Sequence, residues 1–163
     1  TKPLTAVALE GLLAPLVESV NMINAPVIAK ERNIDVSEVK RDSAGDYQTI
    51  VRLNIKTEKG EYIVAGTLFG TKPRLVEISG IKLEATLGAR MLYVNNEDKP
   101  GLVGNLGKML GEAKINIANF HLGRNDAKND AVALLEVDQA VSTELLAQIA
   151  ALPSVKLAKV LLF

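Results

Sequence analysis

The spacing of apolar side chains changes several times along the chain, and each change marks an expected element. Leu, Ala and Val dominate residues 4–20, broken by Glu10 and Glu18. That run predicts a helix which Pro15 must kink or restart. A second helix is expected from Asn24 and Pro26, a capping residue followed by a first-turn proline, to about Asn33. Beyond Asp35 the period drops to two. Val51, Leu53 and Ile55 alternate with Arg52, Asn54 and Lys56, as in a half-buried strand. A turn at Glu58, Lys59 and Gly60 and a second alternating run through Tyr62, Val64, Gly66 and Leu68 make residues 48–69 a β-hairpin. Shorter strands over 75–78 and 81–85, separated by Ser79 and Gly80, extend it into an antiparallel sheet.

Gly88 opens a second unit. Residues 91–94 read as a strand and 95–101 as a polar turn holding Pro100 and Gly101. Leu102, Val103, Leu106, Met109, Leu110 and Ala113 then fall on one face of a helix. Strands follow over 115–123 and 131–138, with a polar loop over 124–129. Ser142 caps a second helix carrying Leu145, Leu146, Ile149 and Leu152. Pro153 ends it, and residues 155–163 form the last strand. The order βαββαβ is the ferredoxin-like arrangement, with both helices on one face of a four-stranded antiparallel sheet. The expected class is therefore α+β in two domains: residues 1–88, a helix pair plus antiparallel sheet, and residues 89–163, the βαββαβ unit.

Composition narrows the chemistry. The chain has 163 residues, no cysteine, one histidine, and 19 basic against 19 acidic side chains. Without cysteine there is no disulfide, Fe–S cluster, thiolate zinc site or thiol nucleophile. With His121 alone, a histidine-cluster metal site is excluded. Balanced charge and six aromatic residues argue against a nucleic-acid partner, which requires cationic surface or stacking platforms. No apolar run reaches the length of a membrane span, and residues 1–20 lack the pattern of a signal peptide, so a cytoplasmic location without membrane association is expected. Thr1 in place of Met fits either N-terminal processing or excision from a larger protein.

Candidate sites are few. Gly101, Gly104 and Gly107 follow a strand and open a helix, but their GxxGxxG spacing is not the GxGxxG of dinucleotide binding. Close helix–sheet packing explains such small residues, while the backbone N–H groups near Gly101 offer a carboxylate the positive end of a helix. His121 has no nucleophile or carboxylate cluster at catalytic spacing and reads as a surface or sheet-edge residue. Asp126 and Asp130 read as turn residues. Arg52 and Lys56 share a strand face, the usual sign of a solvated face, and Arg74, Lys82 and Arg90 are candidates for an anion pocket. Neither a catalytic constellation nor a metal site emerges.

Two stretches carry a resemblance. Asn96-Glu97-Asp98-Lys99-Pro100-Gly101, a short apolar helix and then Ile115-Asn116-Ile117-Ala118 resemble the amino-acid-binding signature of ACT domains. The likeness is strongest to the serine-sensing ACT domain at the C-terminus of the D-3-phosphoglycerate dehydrogenase family. Ahead of it, Ala14-Pro15-Leu16-Val17, the run from Val20 to Ala29, Gly66-Thr67-Leu68-Phe69-Gly70 and Ile78-Ser79-Gly80 are similar to the intervening domain of that family's long form.

The resemblance implies the regulatory half of an NAD-dependent oxidoreductase of L-serine biosynthesis. The fragment itself would have no catalytic site and no cofactor, NAD belonging to the parent enzyme. The family's effector contacts fall on Asn96, Asp98 and Asn116, with the loop backbone near Gly101 receiving the carboxylate of L-serine. The ligand would lie between two ACT domains, with Asn116 acting from the neighbouring chain, so that the chain self-associates as a dimer, or a tetramer in the parent. Some members carry His or Tyr where Asn96 stands. In one branch the intervening domain holds an anion. Arg74 falls on one of its basic positions, Thr86 and Glu136 occupy two others, and Lys82 and Arg90 are the available substitutes. Two other readings compete with feedback control by serine: an oligomerisation module without effector, and the regulatory part of an Fe–S L-serine dehydratase. The Ser-rich motif and cluster cysteines of the latter are absent here.

Overall fold

The structure, a computed structural model, describes residues 2–40 and 45–163. The chain forms two compact units, Thr1–Ala44 and Gly45–Phe163. In the first unit, α1 (Lys2–Leu13) and α2 (Ala25–Glu31) pack Leu9 and Leu13 against Ala25 and Ala29, with Val20, Ile28 and Ile34 around them. α1 stops two residues before Pro15, whose ring lacks the N–H that a continuing helix needs. The expected helix to residue 20 is therefore cut short. Pro26 lies in the first turn of α2 as expected, but Asn24 does not cap that helix with its side chain. Its Oδ1 instead accepts from the Asn21 N–H, and its Nδ2 donates to the Ser19 carbonyl. The asparagine serves the turn before the helix.

The second unit holds two four-stranded antiparallel sheets. The first runs β1-β2-β3-β4, comprising Val51–Thr57, Gly60–Phe69, Lys72–Ile78 and Ile81–Thr86. The second contains β5 (Arg90–Glu97), β6 (Ile117–Asn125), β7 (Asp130–Val137) and β8 (Val155–Leu162), in the spatial order β6-β7-β5-β8. Helices α3 (Leu102–Glu112) and α4 (Thr143–Ala150) complete the βαββαβ order. Ser142 caps α4, its Oγ accepting from the Leu145 N–H at 3.1 Å. The expected division at residues 88/89 lies in the segment between β4 and β5, inside the second compact unit, which holds both sheets.

Both faces of the second sheet are covered. Leu92, Val94, Ala133, Leu135, Val137 and Ala158 bury against Leu102, Leu106 and Leu110 of α3 and Leu145 and Ile149 of α4. On the opposite face Met91, Val132 and Leu134 meet Ile78, Ile81, Leu83 and Ala85 of β3 and β4. Side chains along a strand alternate between faces, so a strand covered on both sides is apolar at every position. That accounts for the unbroken run of buried residues from Ala131 to Leu135. Gly123 lets the two sheets approach: a Cβ there would lie 2.7 Å from the Lys82 carbonyl oxygen and 3.1 Å from the Leu83 Cβ. Among the described residues no helix is long and apolar enough to cross a membrane.

Candidate functional site

The groove at the start of α3 is built from three neighbouring pieces of chain. β5 runs on to Glu97, so Asn95 and Asn96 are strand residues rather than part of the expected turn. Asn96 follows Leu92 and Val94 on the helix-covered face and lies opposite Ala131 of β7. The chain then passes through Lys99 and Pro100 to Gly101, which adopts φ +104° just before α3. No side chain caps α3, so its first N–H groups, at Leu102 and Val103 beside the groove, lack a capping partner. Asn96, Asp98, Lys99, Pro100, Gly101, Leu102, Val103, Leu122 and Ala131 line a space of about 130 Å³.

Two acceptors beside this groove have hydrogen-bonding capacity left unfilled. Asn96 is 2% exposed, and its Nδ2 donates to the Glu97 carbonyl at 2.6 Å. Its Oδ1 is buried without a hydrogen-bond partner, an arrangement that costs free energy until a donor arrives. Asp98 is held in place by the backbone bond from its N–H to the Asn129 carbonyl, at 3.0 Å. The Arg124 Nε donates to Asp98 Oδ2 at 2.7 Å, leaving Oδ1 for another donor. The same contact raises the affinity of the Arg124 guanidinium for its proton, because the charged form is the one Asp98 binds. Beside them, the Lys99 ammonium pairs with Glu97 and holds that carboxyl below the usual glutamate range.

The other expected site residues are distributed as follows. Asn116 lies just before β6, at the far end of that strand from Arg124. Its Nδ2 donates to Asp138 Oδ2 at 2.6 Å and its N–H to Gln139 Oε1 at 2.7 Å. Within one chain it does not join Asn96, Asp98 and Gly101. Arg74 sits opposite Thr86, and Lys82 opposite Glu77. Four strand positions separate Thr86 from Lys82, about 13 Å, so pairing holds Arg74 and Lys82 apart. Arg90 begins β5 opposite Leu162. The three cations are not gathered in this groove, nor in the shallower one between α3 and α4 lined by Met109, Glu112 and Ser142.

Several simpler readings change. Asp130 is the first residue of β7 and pairs with Lys156, rather than lying in a turn. Arg52 is not merely solvated: its guanidinium forms a forked pair with the mostly buried Glu77, at 3.1 and 2.6 Å. The glycines of α3 do not serve close packing, since a Cβ at Gly104 or Gly107 would meet open space. His121 lies on β6, an edge strand, with Nε2 3.3 Å from Thr86 Oγ1. Arg124 was legible only as a loop residue. It reaches Asp98 because β6 extends to Asn125.

Comparison with known proteins adds family evidence. Residues 1–79 match the model of the D-3-phosphoglycerate dehydrogenase intervening domain. The chain is 32% identical over 149 residues to a D-3-phosphoglycerate dehydrogenase of Methanocaldococcus jannaschii, covering 91% of this chain and 28% of the relative. Against the enzyme of the same name from Synechocystis sp. it is 33% identical over 151 residues, 91% of this chain and 27% of the relative. The corresponding Bacillus subtilis protein is 30% identical over 159 residues, 95% of this chain and 30% of the relative. The chain thus spans less than a third of the length of these relatives. Residues 1–79 therefore match the D-3-phosphoglycerate dehydrogenase intervening-domain model, and about nine-tenths of the chain is similar to one region of D-3-phosphoglycerate dehydrogenases.

Proposed function

We propose that this chain is the regulatory part of an NAD-dependent D-3-phosphoglycerate dehydrogenase and that its second sheet and helices form an ACT domain that binds L-serine for feedback control. The nicotinamide chemistry belongs to the parent protein, and this region carries the sensor. One observation supports the reading above the others. A buried amide with an unpartnered acceptor, a half-engaged carboxylate and an uncapped helix N-terminus belong to residues that line the same small groove. Those groups are complementary to a small zwitterion. The α-ammonium donates to Asp98 Oδ1, the α-carboxylate accepts from the N–H groups after Gly101, and the serine hydroxyl donates to Asn96 Oδ1.

Asn116 completes the site from a second copy of the chain, which explains its distance from the groove within one copy. A ligand that contacts both chains favours the state in which they are joined. Inhibition follows if that state disfavours closure of the distant catalytic domains. Isothermal calorimetry tests the reading directly. The 163-residue chain should bind L-serine, and Asp98→Ala and Asn116→Ala should each abolish the heat. No heat up to millimolar serine would refute the effector, and wild-type affinity in both variants would refute the site.

A further inference from the structure

Arg124 is a groove-side cation whose role the reading above leaves open. It sits on β6 opposite Ala131 of β7, and Ala131 is in turn opposite Asn96 of β5. Residues directly opposite one another project from the same face. Arg124, Ala131 and Asn96 therefore form a row across three strands on the helix-covered face, ending at the groove. From that row the Arg124 Nε reaches Asp98 Oδ2 at 2.7 Å. The arginine side chain is 60% exposed and the aspartate side chain 19% exposed. The arginine's second acidic neighbour, Asp126, is 3.9 Å away and almost fully exposed, so it competes weakly.

Two ion pairs flank the groove. Lys99 is matched by Glu97 and Asp98 by Arg124, leaving no net charge among the four. Removing Arg124 leaves Asp98 uncompensated beside the place where a ligand ammonium would sit. A net-negative groove attracts any amine cation and repels a carboxylate, whereas a neutral one with separated poles favours a molecule carrying both charges.

We propose that Arg124 is a specificity-determining residue: by compensating Asp98 it makes the groove select an amino-acid zwitterion over a simple amine of the same size. The arginine leaves Asp98 Oδ1 free for the ligand ammonium while cancelling the long-range field that would draw in cations lacking a carboxylate. It acts through Asp98. This inference rests on the amino-acid-sensing reading of the groove.

The probes are L-serine and ethanolamine, the same molecule without its carboxylate. Calorimetry on the 163-residue chain should give a marked preference for L-serine. Arg124→Gln should lower the ratio of the two affinities about tenfold, because an uncompensated charge at contact range is worth at least that factor near a protein surface. Arg124→Lys, which keeps the charge and loses the guanidinium geometry, should return the ratio to within about threefold of wild type. An unchanged ratio in Arg124→Gln, or an equal fall in Arg124→Lys, overturns the charge account while leaving serine sensing intact. Absence of L-serine binding to the wild-type chain removes the sensing reading and this inference together. Circular dichroism confirms that each variant is folded, which is expected because an ion pair exposed on the arginine side contributes little to stability.

Discussion

Asn96 carries two opposing demands. Its side chain lies in a position that the strand alternation reserves for core residues, after Leu92 and Val94, yet its Oδ1 has no partner. A buried amide of this kind is retained at the expense of stability, which points to a role in binding. Asn96→Leu keeps the approximate volume and removes the unsatisfied acceptor. The change relieves the orphan acceptor but also deprives the Glu97 carbonyl of its Nδ2 donor, two opposing effects of similar size, so unfolding free energy should stay within about 1 kcal/mol of wild type. L-serine binding should be lost. Urea denaturation and calorimetry on the same preparation separate the two effects. A large loss of stability would show that the Nδ2 bond to Glu97 outweighs the orphan acceptor. Gly101 illustrates a backbone demand at the same site: φ +104° is a conformation that side-chain-bearing residues rarely adopt, and it immediately precedes the first turn of α3 beside the groove.

Among the elements, β6 connects the groove to the first sheet. Leu122 lines the groove, Gly123 touches the backbone of β4, and Arg124 grips Asp98, in three successive residues. Because side chains alternate, Gly123 faces away from the groove towards Lys82 and Leu83. Gly123→Ala forces its methyl carbon against a carbonyl oxygen at 2.7 Å, and the sheets must separate. The expected cost is about 1–3 kcal/mol, read as a lower urea midpoint. Gly104→Ala is the matched control. A methyl there meets open space on an exposed helix position, so stability should rise by up to about 1 kcal/mol. If both changes behaved alike, the close approach of β4 and β6 would not be a constraint.

At the scale of the whole molecule the proposed site belongs to two chains, and this can be tested without an assay of the parent enzyme. Mixing Asp98→Ala with Asn116→Ala should restore binding, because each mixed dimer contains one site with both residues intact. Random exchange makes half the dimers mixed, so about a quarter of the wild-type stoichiometry should return. No recovery after exchange would place both residues in one chain or neither in the site. Sedimentation with and without L-serine addresses the competing oligomerisation reading. β8 is an edge strand ending at Leu162, with Phe163 directly after it, the two 73% and 69% exposed, which gives a serine-independent dimer a surface to use.

What the sequence determined by itself was whatever depends on near neighbours along the chain. The hairpin over 48–69, the amphipathic α3, the Ser142 cap and the βαββαβ order all follow from spacing and local chemistry, and the structure contains them. Asn96, Asp98 and Gly101 were named through the resemblance to the ACT-domain signature, and the structure puts all three along one groove because a strand end, a loop and a helix start follow in immediate succession. Tertiary structure decided the rest. Only strand register could place Arg124 against Asp98, or match Arg52 to Glu77, since both pairs bridge more than 20 residues. The alternation of β3 and β4 shows which side is apolar but not what covers it, and the covering layer is the outer face of the second sheet. Likewise the three cations Arg74, Lys82 and Arg90 look adjacent in composition, yet pairing fixes Arg74 and Lys82 at separate levels of one sheet. Local propensity is set by side chains a few residues apart, whereas charge pairing and face coverage are set by register, which no single segment contains.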